Sequence, residues 1–248
     1  MIAAIVHYQL GDPFVTVSRC GPETDQAVML QLNIGKAEGT RVPIKSFAAP
    51  LATVLYCHDR TAQERDAMDV LAHICRACPG LHTLHYTDCT EPEIAVGGMR
   101  RTNPFVDMHL ATTRFRWCEF NNIHTTAGGD LAARLAVDAT EITFDRLASD
   151  AIRSHHVFGA CDRLTLNLAR VFLPDKSIQQ LLNSCPYATI LTLRSYSGNL
   201  ERLQHLCMRE IYIPVWEAEQ GGRTRVNTEP LRKQFPALQM CSLGEKRA

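Results

Sequence analysis

The amino-acid sequence predicts an α/β chain built as an array, in which short strands lie side by side in the same direction and each returns through a helical segment to the next. Apolar lines that echo one another along residues 49–248 point to the array, and helix-start chemistry between them points to the returns. A different, alternating text over residues 1–48 points to a β cap. At 248 residues the chain can bury one sizeable core, and a hydrophobic share of 46% is enough to fold it. Lys plus Arg count 26 and Asp plus Glu count 26, so no net charge draws the chain to nucleic acid or to an anionic membrane.

Within the first 48 residues, alternating stretches at Ile2 to Leu10, Phe14 to Val17, Val28 to Ile34 and Arg41 to Phe47 are parted by Gly-Asp-Pro, Gly-Pro-Glu and Gly-Lys-Ala-Glu-Gly. These separators are turn chemistry, and the expectation is a small β-meander. The apolar opening lacks a basic n-region and meets Gly11-Asp12-Pro13 at once, so it reads as a strand and not as a signal peptide. With no apolar run of about 18 residues to span a bilayer, the expected location is cytoplasmic or nuclear, with no membrane partner. Cysteines run from Cys20 to Cys241, mostly inside apolar stretches, and read as buried thiols of a reducing compartment.

From residue 49 the text repeats. Cys78-Pro79-Gly80-Leu81-His82-Thr83-Leu84-His85-Tyr86 is echoed by Cys185-Pro186-Tyr187-Ala188-Thr189-Ile190-Leu191-Thr192-Leu193, and again by Phe235-Pro236-Ala237-Leu238. A template L-x-x-L-x-L-x-x-N/C sets its two central positions at Leu55/Cys57, Leu84/Tyr86, Phe115/Trp117, Ile142/Phe144, Leu166/Leu168, Leu191/Leu193, Ile211/Ile213 and Cys241/Leu243. The leading outer position is then Ala52, Leu81, Thr112, Ala139, Arg163, Ala188, Met208 and Leu238. The trailing one is Arg60, Cys89, Phe120, Leu147, Val171, Tyr196, Trp216 and Lys246. Twelve of these sixteen outer positions, which played no part in choosing the registers, are apolar, and that supports about eight irregular repeats.

Helices are expected between the lines. Thr61-Ala62-Gln63-Glu64 is a capping box opening a face of Met68, Leu71, Ile74 and Cys75, which stops by Pro79. Further helices are expected over Asp130 to Ala136, over Ser149 to Phe158, and after Pro174 with Ile178, Leu181 and Leu182 buried. Leu200, Leu203 and Leu206 mark a short fifth, and Glu229-Pro230-Leu231 starts a sixth. Thr90 to Asn103 and Glu217 to Asn227, each with a Gly-Gly pair, read as long loops.

The line from Cys78 to Cys89 resembles the cysteine-containing leucine-rich repeats of F-box-type substrate adaptors and, more loosely, of ribonuclease-inhibitor-like proteins. The resemblance covers residues 49–246. It implies a right-handed solenoid, or horseshoe, with a parallel β-sheet on the concave face and helices on the convex face. Residues 1–48 hold nothing that reads as an F-box helix bundle, so the family's ligase-adaptor role does not carry over.

Strands bury alternate residues and present the others. The registers above therefore place Tyr56, His58, His85, Arg114, Arg116, Glu141, Asp145, Asn167, Arg194 and Tyr212 at or beside the outward side of the sheet. Mixed charge beside tyrosine is what a protein-binding surface tends to carry, so the expected partner is another protein, such as a neighbour in a multi-subunit complex.

Chemistry-bearing motifs are sparse. Cys75, Cys78, His82, His85 and Cys89, with His73 beside them, have roughly the arithmetic of a zinc site. On the repeat register these groups diverge, and core thiols with surface imidazoles are the expectation, with no metal or other cofactor. His155 and His156 fall on an expected helix, where neighbours point about 100° apart, and read as a surface pair. Gly128-Gly129 precedes an expected helix and reads as turn geometry. Cys118, beside Trp117 and six residues before His124, is a thiol with no third orienting group in view. No nucleophile elbow, phosphate loop, dinucleotide fingerprint or zincin motif occurs, so neither an enzyme nor a small-molecule site is expected; the rival readings are a thiol- or metal-dependent enzyme using the His73–Cys89 cluster and a nucleic-acid-binding subunit using Arg100, Arg101, Arg114 and Arg116.

Overall fold

The computed structural model describes residues 4–10, 15–21, 29–34, 40–42, 52–59, 71, 74–89, 115–169, 171–214, 223–225 and 228–244. The chain divides into two compact units, Met1–Cys118 and Glu119–Ala248. Among the described residues no helix is long and apolar enough to cross a membrane.

In the first unit β1 (Ala4–Leu10), β2 (Val15–Gly21) and β3 (Met29–Ile34) form the expected antiparallel meander. The fourth strand departs from it: β4 (Thr40–Val42) does not follow β3 but lies parallel to β1 on the far side from β2. That leaves the other edge of β3 for β5 (Val54–Asp59), which pairs with it in parallel, and β6 (Thr83–Asp88) pairs with β5 in the same direction. Parallel stacking thus begins at β3, inside the stretch read as the cap. Leu30, Leu32, Leu55, Cys57, Leu84 and Tyr86 point to one buried side, as the period of two requires. Residues 74–77 are helical, and Leu71, Ile74 and Cys75 are buried, matching the face read from the sequence; residues 61–70, with the capping box, lie outside the described residues.

In the second unit β8 (Glu141–Asp145), β9 (Arg163–Asn167), β10 (Ile190–Arg194), β11 (Glu210–Ile213) and β13 (Met240–Gly244) follow one another in parallel. A short β12 (Arg223–Arg225) lies antiparallel on the outer edge of β13, within the stretch read as a loop. An added antiparallel strand covers backbone groups that would otherwise form the edge of the parallel set. β7 (Trp117–Asn121) begins in the first unit and ends in the second.

One hydrogen-bond device repeats and fixes the phase of the lines. The carbonyl just before a strand accepts two N–H groups from the start of the next: Thr140 O from Asp162 and Arg163, Asp162 O from Thr189 and Ile190, Thr189 O from Arg209 and Glu210, and Arg209 O from Gln239 and Met240. Thr53 O and His82 O do the same in the first unit. A second device is the turn that feeds each strand. The N–H of Leu81, Ala139, Cys161, Ala188 and Leu238 each returns to the carbonyl three residues earlier, on Cys78, Ala136, Phe158, Cys185 and Phe235. Pro79, Pro186 and Pro236 take the second place of such turns, where a fixed φ suits the bend. The Cys-Pro echo seen in the sequence is this turn.

That phase corrects two of the eight registers. In β7 the inward pair is Cys118/Phe120 and not Phe115/Trp117; Phe115 is instead the buried leading residue and Ile123 the buried trailing one. A slip of three residues exchanges the two faces of a strand, and Trp117, read as core, is 42% exposed. In β9 the pair is Leu164/Leu166 and not Leu166/Leu168; a slip of two keeps the faces, and Cys161 becomes the leading residue. The leading position then holds Ala52, Leu81, Phe115, Ala139, Cys161, Ala188, Met208 and Leu238, all buried. The polar Thr112 and Arg163 that the sequence register placed there drop out.

The returns are less helical than expected. α1 (Thr126–Leu135) starts earlier than read, because Thr125 Oγ1 caps it by accepting the Gly128 N–H at 3.0 Å. α2 (Asp175–Ser184) starts after Pro174 as expected and buries Ile178, Leu181 and Leu182. The helix expected over Ser149 to Phe158 does not form: residues 149–158 are a series of turns, with Ala151 N bonded to Ala148 O and His156 N to Arg153 O. Ser149, Asp150 and Ser154 are residues whose side chains favour such turns over helix. The fifth and sixth returns are single 3-10 turns, Leu200–Arg202 and Glu229–Leu231.

Candidate functional site

The outward side of the parallel strands is the surface that the sequence singles out, and each unit carries its own part. In the first unit Tyr56 of β5 and His85 of β6 are register partners, and their rings stack at 4.4 Å with 5° between planes. Trp117 meets His85 edge-on at 5.4 Å. Three neighbouring strands thus place three π systems in a row on the side away from the core, with His85 touching both others. Arg116, exposed, precedes Trp117, and His58 is half-buried two residues beyond Tyr56. Met29, 39% exposed, starts the same side of β3. Arg114 lies outside the described residues.

In the second unit the outward positions form three rows fixed by the ladder. Glu141, Arg163, Ile190, Glu210 and Met240 are register neighbours in the first; Thr143, Thr165, Thr192, Tyr212 and Ser242 in the second; Asp145, Asn167 and Arg194 in the third. The Tyr212 hydroxyl donates to Glu210 Oε2 at 2.7 Å, which holds its ring along its own strand. Glu141, Asp145, Asn167, Arg194 and Tyr212 therefore share one side of one parallel ladder, as read from the sequence. This part is hydroxylic and of mixed charge, whereas the part in the first unit is aromatic.

Trp117 was missed because its strand was placed out of phase. The signal was nonetheless present: Phe115, Cys118, Phe120 and Ile123 fill all four apolar places of the template, which the chosen register did not. Cys118, the thiol beside it, points into the core, and His124 is half-buried.

The thiols and imidazoles between residues 75 and 89 are spread over different surroundings. Cys75 and Cys78 are buried, His82 is exposed with its Nδ1 3.0 Å from Thr83 Oγ1, His85 lies in the aromatic stack, and the Cys89 thiol donates to Thr87 O at 3.8 Å. His73 lies outside the described residues.

A different cluster comes together in the second unit, where the surface histidine pair was expected. Asp130 Oδ1 on α1 is 2.6 Å from His156 Nε2 and 3.2 Å from His155 Nε2. Among the described residues these three side chains form a group close enough to share an ion. Because residues 149–158 are turns, the two rings converge on one oxygen, as helix neighbours would not. Gly129 permits the approach: a Cβ there would run into the Ala151 carbonyl oxygen. Gly128-Gly129 is thus the first turn of a helix, packed against a loop, and not a free turn.

The hydrogen bonds decide what this cluster can do. His156 Nδ1 accepts the Arg153 N–H at 3.1 Å, so the ring proton sits on Nε2 and is donated to Asp130. A metal on Nε2 would move that proton to Nδ1, against another N–H, and ligating imidazoles instead donate from their second nitrogen. The trio is a hydrogen-bonded clasp. Burial pushes Asp130 upward, but the bonds from His156 and His155 outweigh it and keep its carboxyl below the ordinary aspartate value. Burial likewise lowers His156, and the bond to Asp130 offsets this only in part.

Comparison of the chain with protein-family models, with curated proteins and with solved structures finds no match.

Proposed function

We propose that the chain is a protein-recognition module, a leucine-rich-repeat-like right-handed solenoid with its strands on the concave face and its helical returns on the convex one, which docks a protein partner on the outward side of its strands. The contact of Tyr56, His85 and Trp117 on that side carries the reading. Tyrosine and tryptophan dominate the centres of protein interfaces because they bury a large, rigid area at low entropic cost. Cross-strand aromatic contacts add about 0.2–1 kcal/mol each to a sheet, less than such side chains contribute at the centre of an interface. Within the second unit, taken by itself, outward rows of opposite charge and hydroxyl groups are polar surface able to hydrogen-bond a partner.

The test is co-purification with the wild-type chain and with Tyr56→Ser/Trp117→Ser. The double variant should keep the wild-type circular dichroism and lose the partner set, by at least about tenfold, since anchors of this kind cost about 2 kcal/mol or more each on truncation. Undiminished recovery would remove the surface from consideration.

A further inference from the structure

We infer that residues 149–158 are an acid-released strap: His156, wedged in one tautomer between the Asp130 carboxylate and the Arg153 N–H, holds this segment against α1, and a second proton on its ring undoes the hold. The strap stands where a covering helix was expected, and it has little hydrogen-bonding of its own. Its ties run to its neighbours: the Gln180 amide of α2 donates to Ile152 O and Phe158 N donates to Ser184 O at 2.7 Å, while Ala148, just before it, donates its N–H to Ile123 O at 2.9 Å. Its own Ala151, Ile152 and Phe158 are buried, and Phe158 meets Phe144 edge-on at 5.8 Å.

The ring is 3% exposed and both of its nitrogens are engaged. A proton added at Nδ1 sets N–H against the Arg153 N–H, and the buried ring cannot turn to water unless the segment lifts. The charged groups around it are Asp130 and Arg134 from α1 and Arg153 and His155 from the strap; Gln180, the α2 residue tied to the strap, is uncharged. Asp130 stays ionised as pH falls through the imidazole range, but Arg153 and His155 repel the new charge and burial disfavours it. Opening exposes the ring, restores its ordinary affinity for protons, and so gains population as pH falls below about 6.5. Acid would thereby uncover Ile152 and Phe158 while the ladder beneath stays paired.

Hydrogen exchange on the full chain at pH 7.5 and 5.5, corrected for intrinsic rates, tests this. Protection of amides in 151–158 should fall roughly tenfold at the lower pH while β9 and β10 keep theirs. His156→Gln retains a donor for Asp130 with nothing to titrate at that position, and His155→Gln beside it removes the strap's other imidazole, so the strap of the double variant should show no change between the two values. The wild-type ring, read by its imidazole nitrogen resonances at pH 7.5, should carry its proton on Nε2. Equal strap protection at both pH values, loss of protection only together with β9 and β10, or a proton on Nδ1 would each overturn the inference.

Discussion

His205 occupies a place that other repeats give to apolar side chains. It sits three residues before the leading Met208, where Cys78, Ala136, Phe158, Cys185 and Phe235 are buried in their own lines. An imidazole fits there because its nitrogens are satisfied by backbone: Nε2 lies 2.8 Å from Cys185 O, and Nδ1 accepts the Cys207 N–H at 3.3 Å. Burial lowers its proton affinity from the ordinary value of 6.5, and the bond to Cys185 O recovers only part. The unfolded chain therefore binds more protons in the window just below 6.5. Stability, complete above that pH, falls as pH drops through it. His205→Leu should cost about 1–2 kcal/mol at pH 7.5, since the Cys207 N–H loses its acceptor, and should narrow the gap between urea midpoints at pH 7.5 and 5.5. An unchanged gap would assign the proton uptake elsewhere, to His156 first.

At the scale of the element, β7 separates what the sequence could tell from what it could not. Strands were legible wherever a line had two well-separated central apolar residues flanked by polar ones, as in Glu141-Ile142-Thr143-Phe144-Asp145. Around β7 the text Phe115-Arg116-Trp117-Cys118-Glu119-Phe120 offers apolar residues on both parities, and period alone cannot choose between them. The outer places of the template do choose, since Phe115 and Ile123 complete it around Cys118 and Phe120, and the N–H groups of Arg116 and Trp117 bonding to His82 O hold the strand in that phase. Helices were legible where a stop or cap was strong, as at Pro174. They were misread where a side chain captures backbone, as His156 captures the Arg153 N–H, because that needs Asp130 from another element to orient the ring. The clasp was illegible for the same reason. Side-chain truncation tells the two β7 registers apart. Phe120→Ala, which empties a fully buried site stacked on Phe144 at 5.5 Å, should cost about 3–5 kcal/mol. Trp117→Ala should cost less than about 1 kcal/mol, and Trp117 emission, isolated with Trp216→Phe, should be open to acrylamide. The opposite ranking in urea melts would restore the register read from the sequence.

Across the second unit as a whole, the repeated ladder makes stability a matter of neighbours. Each line rests on the one before and the one after, so an inner line has two stacked faces and the last has one, with the short β12 along its other edge. Opening should then begin at the β13 end and reach β9 and β10 late. Thiols happen to mark the path: Cys161 leads β9, Cys185 closes the turn before β10, Cys207 precedes β11 and Cys241 lies in β13. Cys207 is half-buried and should label in the native state, whereas the other three are buried and wait for an opening. A hydrogen bond to the Cys161 thiol, together with burial, raises the free thiol of Cys185, while burial raises Cys241, so rates must be referred to the same thiols in the denatured chain. With that reference, labelling in urea below the main transition should reach Cys241 at a lower concentration than Cys161 and Cys185, and those two together. A single urea dependence for all three would mean that the second unit opens as one block, and that its lines do not add stability neighbour by neighbour.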